Sequence, residues 1–418
     1  MRLRMRMERV IMTSRERVRR ALNYQDTDRT PIDVGGTMMT GVHVDAYCEI
    51  VRHLGLDLMP PKCYEQYQML ARVEEPMMRF FHSDVIQLEN PIVNWGFNND
   101  HWRLWKTHLD NEILMPGAFT PDRDERGYLH IRDVYGNSLA YMSPGSLYFE
   151  KNCPTGLSDD FTLVDPDTWR RSLPLYTDEE LDLLQQRGRF LKDNTDYSVH
   201  GGCVRGQLGT HGLYAGHTIS DWLCLLTLEP AYTKEILEAA ADRAIENLSL
   251  YLEAAGSCID TILVSGADYG TQRNELFSPE IFREQYMPAF KRINDFIHRH
   301  TEAKTMIHSC GSLYGIIESL IEGGFDILNP VHTNAHMMKP ELLTERFGGR
   351  IVFWGGGVET QTTLPYGTPE EVYEQVQARI RVFGETNGFV FAAVHNIQYG
   401  VPFANIQSMI RAVLEYRS

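Results

Sequence analysis

The chain is short of positive charge: 40 Lys and Arg stand against 56 Asp and Glu over 418 residues, a formal −16 at pH 7. A broad surface for phosphate backbones is excluded on that balance, and nucleic acid is not an expected partner. Long apolar runs are also missing. No stretch of 18 or more uncharged apolar residues occurs and no apolar segment of signal-peptide type follows the basic start, so neither a membrane span nor secretion is expected and the protein reads as cytoplasmic. Cysteine is scarce: Cys48, Cys63, Cys153, Cys203, Cys224, Cys258 and Cys310 form an odd, scattered set, which excludes a disulfide framework and leaves free thiols. Low-complexity tracts and short-period repeats are absent as well.

What is present is enough apolar content, 43%, to bury a large core. The first twenty residues hold eight Arg against two Glu and read as a frayed, solvated helical extension, with Met12-Thr13-Ser14 as an alternative start. Beyond it, short β-branched or apolar runs recur, each followed by helical periodicity: Pro31–Gly36, Asp84–Glu89, Ser198–Cys203, Thr261–Ser265, Lys304–His308, Phe325–Asn329, Ile351–Gly355 and Gly388–His395. Ser278-Pro279-Glu280 and Thr368-Pro369-Glu370-Glu371 are helix starts, each an N-cap hydroxyl before an N1 proline and first-turn acid. Eight alternating units predict an α/β fold, a (β/α)8 barrel over residues 31–418 preceded by a helical extension over 1–30, with a doubly wound sheet as the alternative. Residues 93–181 break the alternation and read as an insertion, in which 127–142 is a β-hairpin around Tyr135-Gly136-Asn137 that could roof a pocket or receive a partner.

In such barrels the chemistry sits at the C-terminal strand ends. There the sequence places Gly35-Gly36, Asp84 to Asn90, His200-Gly-Gly-Cys203, Ser265 to Asp268 with Tyr269, His308-Ser-Cys310-Gly311, Asn329 with His332, Gly355-Gly-Gly357 with Glu359, and His395-Asn396. His308-x-Cys310 directs an imidazole and a thiol to the same side of a strand, so both can reach one metal. Zinc takes such ligands and needs a third, which His395, Cys203, Glu359 or Asp268 could supply. A histidine and a half-buried cysteine packed at a barrel rim is the structural alternative. Asp84, beside Val85-Ile86, needs either a polar cavity or an ion-pair partner. Asp84 and Asp268 are candidates for substrate orientation or proton delivery, with an ion pair and a helix cap as their respective alternatives. Asn90, Tyr286, Asn329, Gly355, Gly356 and Gly357 are candidates for substrate contact; for Tyr286 a plain helix position, and for the glycines a turn, explain them as well.

His308-Ser-Cys-Gly311, Asp326-Ile-Leu-Asn-Pro-Val331, Phe353-Trp-Gly-Gly-Gly-Val-Glu-Thr-Gln361, Leu364-Pro-Tyr-Gly-Thr-Pro-Glu-Glu-Val372 and Val401-Pro-Phe-Ala-Asn-Ile406 together resemble the uroporphyrinogen decarboxylase superfamily, densest after residue 260. The resemblance implies a (β/α)8 barrel and two chemistries: decarboxylation of porphyrinogens, or zinc-dependent methyl exchange with a corrinoid protein. The arginine-rich segment by which the decarboxylases hold their substrate's carboxylates has no counterpart in Pro31–Met39. Ser83-Asp84-Val85 looks like the decarboxylase segment with its essential aspartate, and His395 falls near that branch's C-terminal histidine. The methyltransferases carry His-x-Cys-Gly at the fifth strand and a further cysteine at the eighth, all binding zinc. His308 and Cys310 match, and His395 stands where the third ligand is expected.

The implied function is therefore a zinc-dependent methyltransferase moving a methyl group between a small donor, such as a methoxylated aromatic or other methyl ether, and cobalamin. The chain has no corrinoid-binding Asp-x-His-x-x-Gly segment, so the cobalamin is expected on a separate corrinoid protein; self-association is left open. The alternatives are a cofactor-free decarboxylase built on Asp84 and His395, and a non-catalytic barrel that binds a tetrapyrrole or a protein.

Overall fold

The computed structural model describes residues 11–93, 95–133, 135–151, 156–158, 162–203, 205, 208 and 215–416. The ten residues of the basic start and Cys153 lie outside that set. The other six cysteines are free thiols.

Seven parallel strands, here β1 (Val85–Gln87), β2 (Ser198–Cys203), β3 (Thr261–Ser265), β4 (Lys304–His308), β5 (Ile327–Asn329), β6 (Val352–Trp354) and β7 (Phe389–Val390), pair in sequence order. The first of the eight runs, Pro31–Gly36, contributes only a bridge: Ile32 pairs with Phe391, Asp33 N–H donates to Phe391 O at 2.8 Å, and Asp84 N–H donates to Ile32 O at 2.7 Å. Residues 31–33 thus join β7 to β1 and close the barrel.

Side-chain alternation sorts the strand residues into two populations. Ile262, Val264, Ile307, Leu328 and Phe353 point outward under the helices, whereas Val85, Leu263, Met306, Ile327, Val352 and Val390 fill the barrel interior. The same parity carried one step further places His308, Asn329 and Trp354 inward, one layer nearer the C-terminal mouth.

The first helix, α1 (Ser14–Leu22), is capped by Thr13 and is not frayed. Val18, Ala21 and Leu22 are buried against the interior residues of the strands, so this helix stoppers the N-terminal end. An apolar stripe at i, i+3 and i+4 between the arginines supplies the face, which the charge count alone conceals.

Within the insertion, Leu129–Arg132 and Ser138–Met142 pair as the expected hairpin, with Gly136 at φ 88° in its turn, and two short strands flank them in a four-stranded antiparallel sheet. Arg103–Lys106 and Glu112–Met115 form a second hairpin. Asp45, nearly unexposed, accepts from Thr107 Oγ1 and Asn111 Nδ2 at 2.7 Å each and ties this hairpin to the body. Among the described residues no helix is long and apolar enough to cross a membrane.

Asp84 corrects an expectation. It precedes β1, so it lies at the N-terminal end of the barrel, and its carboxylate has no exposed surface. Arg17 Nη1 and Arg29 Nη1 each reach it at 2.6 Å, and Ser14 Oγ and Ile32 N–H donate at 2.7 and 2.8 Å. Every lone pair is used for closure, and none faces the mouth. Asp84→Ala takes from the buried Arg17 one of its two carboxylates, leaving Asp28 Oδ1 at 2.6 Å, and is expected to cost about 2–4 kcal/mol in urea unfolding.

His200, on β2, is fully buried with Nδ1 2.8 Å from Thr261 Oγ1, and burial pushes its pKa down to about 3. The unfolded chain takes up this proton near pH 6.5 and the folded chain does not, so stability is lost as pH falls below 6.5. Urea unfolding between pH 7 and 4 should show that decline, and His200→Gln should flatten it.

Candidate metal centre

His308 ends β4, and its register partner on β5 is Asn329. Asn329 Nδ2 donates to Trp354 O at 2.9 Å, which turns Oδ1 toward His308 Nδ1 at 2.6 Å. The imidazole proton is thereby held on Nδ1, and Nε2 keeps a free lone pair that lies 3.8 Å from Cys310 Sγ. Asn329, expected at the substrate, instead orients the His308 ring. Its place beside His308 was open to inference only through strand register.

Cys310 leaves the strand with its backbone N–H donating to Asp268 Oδ1 at 2.7 Å. Gly311 follows at φ 92°, and a Cβ there would meet Gly270 C at 2.5 Å and Thr271 O at 2.7 Å. The motif's glycine therefore lets the β3 and β4 loops touch, and this contact sets Asp268 against Cys310.

His395 follows β7 and supplies the third group. Its ring centroid is 5.6 Å from that of His308, and His308, Cys310 and His395 each offer a ligand atom within 4.8 Å of the others. Neither Cys203, Glu359 nor Asp268 joins that group. Tetrahedral zinc with Zn–S near 2.3 Å and Zn–N near 2.05 Å places S and N about 3.6 Å apart, so the His308–Cys310 spacing fits. Burial, and then the neighbouring His308, push His395 down to about 4, which keeps it neutral as a ligand must be. Asn396 N–H donates to His395 Nδ1 at 2.8 Å, so a metal bond from His395 either replaces that contact at Nδ1 or moves the ring proton there from Nε2. Burial and the Asp268 carboxylate raise the Cys310 thiol well above its ordinary range, so binding a cation must release its proton.

The remaining expected contacts divide. Asn90 stands at the mouth, its Nδ2 donating to Cys203 O at 3.0 Å and its Oδ1 buried without a partner among the described residues. With Cys203 it lines a cavity of about 70 Å³. Tyr286, by contrast, is a core residue: it is 1% exposed, accepts from Trp222 Nε1 at 2.7 Å and stacks on Phe277 and Phe282. Gly355, Gly356 and Gly357 make room for protein. Cβ atoms there would meet Pro330 O at 2.4 Å, Val331 O at 3.0 Å and the Phe391 ring at 2.3 Å. Two expectations, Tyr286 and the glycines as ligand contacts, are thus replaced by packing.

Asn329→Ala frees the His308 ring and should weaken metal binding about 10–100-fold in competition with a chromogenic chelator. Asn329→Asp, which keeps an acceptor opposite Nδ1, should restore most of it.

The uroporphyrinogen decarboxylase (URO-D) family model matches residues 212–416, a span that contains all three metal-site residues. No curated protein matches the chain. Among solved structures, a methyltransferase from Methanosarcina mazei aligns over 97% of this chain and 99% of its own at 15% identity and a TM-score of 0.55, which shows a shared fold. Endo-glycoceramidase II from Rhodococcus sp. aligns over 58% of this chain and 68% of its own at 12% identity and a TM-score of 0.30, too distant to carry an argument. Residues 212–416, with the His308-Ser-Cys-Gly311 strand end among them, thus match the uroporphyrinogen decarboxylase family model, and the chain as a whole has the barrel fold.

Proposed function

We propose that the protein is a zinc-dependent methyltransferase that moves a methyl group between a small methyl donor and cobalamin carried by a separate corrinoid protein. The observation that carries this reading is the convergence of His308, Cys310 and His395 within 4.8 Å at the C-terminal mouth. Three ligands leave a fourth position for substrate, the arrangement of catalytic rather than structural zinc. Bound there, zinc supplies a Lewis acid that polarises the heteroatom bearing the methyl group.

The chain's own residues do the rest. Asn329 fixes His308 in the tautomer with Nε2 free, and Asp268 holds the Cys310 backbone so that its sulfur faces that nitrogen. One thiolate with two neutral imidazoles leaves the metal more electrophilic than two thiolates would. This favours removal of a methyl group from an ether oxygen, as in a methoxylated aromatic, over activation of a thiol. The similarity in fold to the Methanosarcina methyltransferase supports the same reading.

The decarboxylase alternative needs Asp84 and His395 in one site. Asp84 precedes β1 and is consumed by Arg17 and Arg29, whereas His395 follows β7 at the opposite end. The non-catalytic reading gives no role to a three-ligand cluster.

Elemental analysis of tag-free protein should return about one zinc per chain, lost in both His308→Ala and Cys310→Ala. Wild type should methylate cob(I)alamin from methoxylated aromatics, followed by its absorbance change, and the two variants should not. Folded wild type that takes up no zinc on titration overturns the reading.

A further inference from the structure

Ile262, Ile307, Leu328 and Phe353, which point outward from the sheet, are each 0% exposed beneath the helices. Ile86 takes the same position on β1 and is only half-buried. After β1 the chain enters the insertion and forms no helix until Pro166 among the described residues. The strand is therefore flanked by α2 (Glu75–Phe81), which precedes it, and α3 (Asp178–Asn194), which precedes β2. Between these two helices lies a cavity of about 550 Å³, with walls that include Val73, Met78, Ile86, Leu88, Phe190 and Leu191. Phe190 is 63% exposed, so the cavity opens to solvent. A hollow of this size with apolar walls is of the kind that holds small molecules.

Arg72, Glu89 and Arg187 also line this cavity, and the two arginines differ. Arg72 forks onto Glu89, Nε to Oε1 at 2.7 Å and Nη2 to Oε2. Arg187 of α3 is half-buried, and its guanidinium donates to the backbone oxygen of Glu89 at 3.3 Å with no carboxylate partner among the described residues. The residues three and four positions away along the helix, Leu183, Leu184, Phe190 and Leu191, are apolar and cannot pair with it. A half-buried guanidinium beside apolar walls calls for an anion. A neutral molecule would leave it unpaired, and a cation would be repelled. A dianion would bring more charge than one free guanidinium offsets, with Glu89 alongside. A carboxylate carries a single charge and two coplanar oxygens that match the fork. We propose that this cavity is a second ligand site, outside the barrel wall, for a small carboxylate with an apolar alkyl or aryl body. None of His308, Cys310 and His395 lines it, so the site stands independently of the metal reading.

The test titrates the protein calorimetrically with two acid and alcohol pairs, octanoate with octan-1-ol and benzoate with benzyl alcohol. In at least one pair the acid is expected to bind at least about tenfold more tightly than its alcohol, the first pair answering for an alkyl body and the second for an aryl one. Arg187→Gln should erase that preference with the melting temperature unchanged. Leu191→Trp fills the cavity and should abolish binding of acid and alcohol alike, and Val73→Phe serves the same purpose should that variant fail to fold. His308→Ala should leave the acid's affinity as it is. No binding of either acid, equal affinity within both pairs, a preference that survives Arg187→Gln, or binding that survives both filled variants overturns the site. Loss of acid binding in folded His308→Ala would put the carboxylate at the metal centre and overturns it as well.

Discussion

Closure of the barrel hangs on a carboxylate with no exposed surface. Asp84 receives Arg17 from α1, Arg29 from the segment that enters the barrel and the N–H of Ile32, the residue that stands for the eighth strand. A strand reduced to one bridge has few ladder hydrogen bonds of its own, so a charge-assisted clasp takes over their work. Once the sheet is closed, parallel register fixes which residues share a layer, and His308, Asn329 and Trp354 come round in succession. The placing of the His308, Cys310 and His395 cluster therefore depends on an ion-pair cluster at the far end of the molecule.

The strands were legible where both faces are buried. Ser198–Cys203, Thr261–Ser265 and Lys304–His308 form as read, because a strand covered by helices outside and packed side chains inside is a short run nearly free of charge, Lys304 at a strand start being the exception. Pro31–Gly36 was not. Gly35 takes φ 81° and Gly36 lies against Val85 O, so the chain turns away after one bridge. The small sheet of Val42–His43, Cys63–Glu65 and Leu70–Ala71 escaped notice because two- and three-residue strands have no period to detect.

At the site, His308 and Cys310 were legible from local alternation, and His395 from its position after an apolar run and from resemblance. The misplacements share one cause. Asp84 and Asn90 bracket the same run, yet only the residue at the C-terminal end reaches the mouth. Tyr286 and the three glycines are decided by neighbours distant in sequence, Trp222 for the first and Pro330, Val331 and Phe391 for the others. Asn329 was found for the wrong reason, since its partner is set by pairing between strands.

Val18, Ala21 and Leu22 plug one end of the barrel, so among the described residues His308, Cys310 and His395 stand at the end this helix leaves uncovered. Were the proposed methyl transfer to take place there, donor and carrier protein would have to use that same end, and a carrier seated first would shut the small molecule out.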